Sequence, residues 1–125
     1  MNSFNLSKVL FTFVVFVAID SVYLISMKGY FDEQIKQIQG SAIQMNLYAA
    51  ILCYISLVFG LYYFIIKDNK SLYQAFLLGL VIYSVYEFTT WSLLKNWKMQ
   101  TVIIDSLWGS ILFALTTAIV YKVYL

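Results

Sequence analysis

Histidine, proline and arginine are absent from this 125-residue sequence, and cysteine occurs once. Without histidine there is no His-based catalytic triad, no usual zinc site and no haem on an axial histidine. Lysine supplies all eight cations, and none lies mid-way along a long apolar run, so a retinal-type Schiff base is excluded. The five glycines are scattered and form no phosphate-cradling loop. No face gathers Lys and Arg as a nucleic-acid surface requires, so no nucleic-acid partner is expected. Nothing in this inventory calls for a cofactor. An oxygen-ligand Mg²⁺ or Ca²⁺ site stays open, because carboxylates are hard ligands.

Charge is also scarce. Only 11% of residues are charged and 62% are hydrophobic, against about a quarter charged in soluble domains. That leaves too little polar surface to cover a globule in water. Mean hydropathy is +0.81, and apolar runs long enough to cross a bilayer account for it directly. Lys8 followed by Val9 to Ile19 has the outline of a signal peptide. The run continues past Asp20 to Met27 without a small-x-small cleavage site, which reads as a retained first helix. Cys53 lies within an apolar run, where a small buried hydrophobe is the expected role.

Four spans follow, at about 6–27, 45–66, 72–94 and 102–124. About 20 helical residues cross the hydrocarbon, and backbone groups without water must bond within a helix. The expected fold is all-α: a polytopic membrane protein with a four-transmembrane-helix antiparallel bundle, forming a single integral membrane domain over 1–125. Segments 67–71 (KDNKS) and 95–100 (KNWKMQ) are tight turns. In segment 28–42, Phe31, Ile35 and Ile38 recur at helical spacing among Asp, Glu, Gln and Lys. This reads as a short interfacial amphipathic helix, with a polar linker as the alternative.

Face A denotes the side holding both chain ends, and face B the side holding the first and third connections. Lys8, Lys67, Lys70 and Lys122 fall on face A; Lys28, Lys36, Lys95 and Lys98 fall on face B. Four against four gives the positive-inside rule nothing to act on. Small residues mark packing seams: Ala49, Cys53, Ser56 and Gly60 in the second span, Ala75 and Gly79 in the third, Ser110, Ala114 and Ala118 in the fourth.

Three acids stand inside the spans: Asp20, Glu87 and Asp105. An ionised carboxylate at mid-bilayer costs roughly 2.5–3.5 kcal/mol on insertion scales, so such residues are functional candidates by default. Asp20 lies eight residues before Lys28, Glu87 eight before Lys95, and Asp105 seven after Lys98. All three therefore sit about 10–12 Å from face B, in one layer. Helical spacing puts Phe16 and Tyr23 with Asp20, Tyr83 and Thr90 with Glu87, and Thr101 and Trp108 with Asp105. Tyr54 falls at the matching depth of the second span. The expectation is a polar pocket opening towards face B, floored by Asp20, Glu87 and Asp105. Its walls are Tyr23, Tyr54, Tyr83, Tyr86, Trp91 and Trp108, with Thr90 beside them. Interacting acids titrate as a unit, able to hold protons or exchange them for a cation. Interface enrichment of aromatics and hydrogen-bonded helix adhesion are the plainer alternatives.

Asp20 with Tyr23-Leu24 and then Lys28-Gly29-Tyr30 resembles the opening L-D-x-x-W-L…K-G-F/Y of the DUF2177 family of predicted membrane proteins. Gly60-Leu61-Tyr62-Tyr63-Phe64 resembles its second-span ending. Tyr83-x-x-Tyr86-Glu87-x-Thr89 resembles its Y-x-x-Y-D/E-x-T-N segment, and Asp105-x-x-Trp108-Gly109 its D-x-x-W-G. Tyr23 stands where the family usually has Trp, Thr90 where it usually has Asn, and Lys98 where Pro often follows the Trp. The resemblance implies four spans and supplies no activity.

Three functions remain in view. One is proton- or cation-coupled transport or channel activity in a homo-oligomer. A membrane-embedded enzyme or subunit acting on lipid or another apolar small molecule is the second. The third is a structural or assembly protein whose acids pair with lysines of a partner chain in a small membrane complex. All three are multi-pass integral membrane proteins whose constant partner is the lipid bilayer.

Overall fold

The computed structural model describes residues 5–41 and 46–124. Ala42 and Met45, at two of the expected boundaries, lie outside the described residues. Helix α1 spans Leu6–Ser26, α2 Lys28–Gln39, α3 Leu47–Leu61, α4 Leu72–Leu93 and α5 Met99–Tyr124. The described residues are helical apart from their connections and contain no strand. Four helices are long and apolar enough to cross a membrane: Leu6–Ser26, Leu47–Ile66, Leu72–Leu93 and Met99–Tyr124.

Local chemistry sets the ends. Asn5 and Asn46 cap α1 and α3 by accepting from the Lys8 and Ala49 amides, and Ser71 with Gln74 forms a capping box on α4. Gly40 ends α2 in the left-handed conformation (φ 76°). Beyond Leu61 the helix widens into a π-type turn over Tyr62–Ile66, where the Lys67 amide reaches the Tyr62 carbonyl at 2.8 Å. The wider turn re-aims the side chains. Tyr62, Ile65 and Ile66 all end up buried.

Helix α5 is the hub. It packs along α4 and against α1, and α1 in turn packs against α3. The α4–α5 seam depends on two glycines. A Cβ on Gly79 would run into the Gly109 carbonyl, and one on Gly109 into the Tyr83 ring. Between the acid layer and face A lies the apolar core, where Phe16, Val58, Leu61, Ile66, Leu112 and Phe113 are almost fully buried. Phe16 and Phe113 meet edge to face at 5.6 Å, a favoured aromatic geometry. At face A, Tyr62 accepts from the Asn5 amide at 3.1 Å and Tyr121 donates to the Lys70 carbonyl at 2.7 Å.

The second-span seam turns outward instead of inward. Ala49, Cys53 and Ser56 are exposed, and a Cβ on Gly60 would meet nothing within 4 Å. Cys53 is therefore not the buried hydrophobe expected. Helical spacing fixes which residues share a face, not where that face points. The bulkier Tyr54, Leu57, Val58 and Leu61 fill the space inside the bundle. In α2 the deepest residue is likewise not Phe31, Ile35 or Ile38, which are half-buried, but Gln34.

Candidate functional site

Asp20 points from α1 into the junction with α3 and α5, and only 7% of it is exposed. One carboxyl oxygen accepts from the Tyr54 hydroxyl at 2.6 Å, and the other from the Trp108 indole N–H at 2.8 Å. Trp108 lies flat on Tyr23, with centroids 4.5 Å apart and planes 5° from parallel. The Tyr23 hydroxyl continues to Asp105, donating at 3.0 Å. A relay of Tyr54, Asp20, Trp108, Tyr23 and Asp105 thus ties α3, α1 and α5 together at one level. These side chains meet because their helices present them at equal depth and the spacing of α1 puts Asp20 and Tyr23 on one face.

Glu87 approaches from α4 and is fully buried. Its Oε1 accepts from the Trp97 indole N–H at 3.0 Å, while Oε2 has no partner of its own. The carboxyl lies within side-chain hydrogen-bond reach of Asp105. Ionised carboxylates only accept hydrogen bonds, so neither acid can donate to the other unless one of them is protonated. Tyr83 packs against the buried core, and its ring covers Gly109.

The other expected wall residues stand further out. Tyr86 is exposed, and Thr90 donates to the Tyr86 carbonyl at 2.8 Å. Trp91 is exposed. It lines an apolar groove of about 310 Å³ on the flank of α4 and α5, with Ser84, Phe88, Met99, Val102 and Leu107.

Among the described residues, Trp97, Gln34 and Thr101 are buried on the face B side of the acids. Trp97, which sequence reasoning missed, swings under the bundle because Asn96 adopts a left-handed conformation (φ 71°). Asparagine tolerates that region better than most residues. Beside it Gln34 of α2 accepts from the Lys98 amide at 3.1 Å and from the Thr101 hydroxyl at 2.9 Å, and Tyr30 bonds Thr101 at 2.7 Å. The one available clue was a tryptophan in a turn flanked by two lysines. For Gln34 there was none.

No cation answers the acids. Among the described residues the ion pairs are Lys28–Asp32 and Lys67–Asp68, both outside the acid layer. Nor do three or more His, Cys, Asp or Glu side chains converge as metal ligands among those residues.

A family model described as "Predicted membrane protein (DUF2177)" matches residues 5–122. The chain belongs to the DUF2177 family. No curated protein and no solved structure matches it. With the four apolar helices, membership makes it a multi-pass integral membrane protein. The segments that carry the DUF2177 resemblance supply Asp20, Tyr23, Tyr83, Glu87, Asp105 and Trp108, the residues around the acid layer. Tyr23 supplies both an aromatic face for Trp108 and a hydrogen-bond donor for Asp105.

Proposed function

We propose that this protein moves a proton or small cation, using Asp20, Glu87 and Asp105 as the exchange site. The observation that carries this reading is the pair Glu87 and Asp105. Two carboxyl groups lie within hydrogen-bond reach inside the bundle, with no lysine of the described residues paired to either. A shared proton makes such a pair tolerable in a low-dielectric interior, and an arriving cation is the natural replacement for it. Asp20, held by Tyr54 and Trp108, is the second station. The Tyr23–Trp108 stack links it to Asp105. Pre-set donors supply orientation without pairing away the negative charge.

Proteoliposomes with an internal pH dye provide the test. An imposed pH gradient or a gradient of a small organic cation is expected to drive proton movement through the native chain. Asp20→Asn, Glu87→Gln and Asp105→Asn combined should reduce it to the level of empty vesicles. Flux that survives all three substitutions sinks the reading.

A further inference from the structure

Among the described residues, buried side chains cover the acid layer towards both membrane faces. On the face A side stand Phe16, Leu61, Leu112 and Phe113, all essentially unexposed. On the face B side stand Trp97, Gln34 and Thr101, also buried. The flank is less covered. No packed seam joins α3 to α4. Nearer face A, Leu78 and Ile82 of α4 reach the core that Val58 and Leu61 of α3 help to form. One turn further along α4, Tyr86 is 60% exposed. On α3 Cys53 is exposed as well, and its neighbour Tyr54 bonds Asp20 at 2.6 Å. Tyr86 directly precedes the buried Glu87 on α4. With no packed seam between them and exposed side chains on both at this level, α3 and α4 leave a flank that gives on to the hydrocarbon.

Resting on the exchange site proposed above, we infer that the α3–α4 flank is a lateral portal through which an ammonium amphiphile, an apolar body with one protonated amine, enters from the bilayer. Charge complementarity selects this occupant. Neutral indole and phenol donors meet Asp20, Asp105 and one oxygen of Glu87. No lysine of the described residues pairs with any of the three acids, and the fully buried Glu87 leaves Oε2 unpartnered, so what the site lacks is positive charge. Tyr54, Tyr83 and the Tyr23–Trp108 stack add aromatic faces that favour a desolvated cation. The flank leads to lipid rather than water, which favours a ligand that already partitions there. An anionic lipid would meet like charge, and a neutral alcohol would leave the carboxylates unanswered.

The only cysteine in the chain lies at the portal, so a nitroxide on native Cys53 reads it directly in lipid nanodiscs. Oxygen, which concentrates in hydrocarbon, should relax the label more than a water-soluble nickel chelate does. Dodecylammonium is expected to immobilise the label and dodecanol at equal membrane concentration to leave it mobile. Asp20→Asn should weaken the dodecylammonium effect about tenfold, as expected for one charge-assisted contact. Tyr54→Phe, a gentler change read in parallel, should weaken it less. Stronger relaxation by the nickel chelate would show a water-filled opening and overturn the portal. Equal responses to the amine and the alcohol, or an amine response indifferent to both substitutions, would overturn the ammonium site. Proton flux is read separately in vesicles. Immobilisation without flux leaves the binding site and removes transport, whereas flux with a water-exposed label does the reverse.

Discussion

Trp97 donates its indole N–H to Oε1 of Glu87 at 3.0 Å, from a turn ten residues further along the chain. The contact joins the loop on the face B side to the most deeply buried of the three acids. It makes Trp97 both a plug and a donor.

Replacing Trp97 by Phe keeps much of the plug and removes the donor. Leaving a buried carboxyl oxygen unmet costs about 1–3 kcal/mol. The thermal midpoint in detergent should fall accordingly. Glu87→Gln on the same background should lose less than it does alone, because the two share one interaction.

Gly109→Ala forces a methyl group into the Tyr83 ring. Overpacking of this kind costs about 1–3 kcal/mol, read as lower yield of folded protein and a lower midpoint. Adding Tyr83→Ala should recover part of the loss. Gly60→Ala, with open space around it, should leave the midpoint unchanged.

A proton shared by Glu87 and Asp105 has an infrared signature. A protonated-carboxyl C=O band sensitive to H₂O/D₂O exchange is expected in the native protein. It should disappear in Glu87→Gln and equally in Asp105→Asn, and persist in Asp20→Asn. A band unaffected by the first two substitutions would place the proton elsewhere.

Gln34→Leu removes the acceptor shared by the Lys98 amide and the Thr101 hydroxyl. Helix α2 should then loosen from α5 while the four long helices stay paired. Hydrogen-exchange mass spectrometry should show faster exchange confined to residues 28–41 and the start of α5.

The four spans were legible because a bilayer demands about 20 apolar residues per crossing and lysines bracket each run. The common depth of the acids was legible too, since counting residues from those lysines is counting distance along a helix. Rotation was not. Nothing local distinguishes a small-residue stripe that packs, as at Gly79, from one that faces out, as at Cys53. The outcome depends on which neighbours fill the space around each helix. Trp91 and Trp97 make the same point: six residues apart, they part company because Asn96 reverses the chain between them. Gln34 is buried because α2 folds back on α5, and one turn of polar residues does not encode that tertiary contact.

The glycine contact between α4 and α5 has a mechanical consequence. With the carbonyl of Gly109 seated where a side chain on Gly79 would stand, these two helices slide or tilt only together, as a single stave. Glu87 and Asp105 ride on that stave and keep their spacing through any motion. Asp20 and Tyr54 ride on the other pair. Relative movement of the two halves therefore stretches the Trp108–Asp20 and Tyr23–Asp105 bonds first, which makes those two bonds the clasp of the molecule.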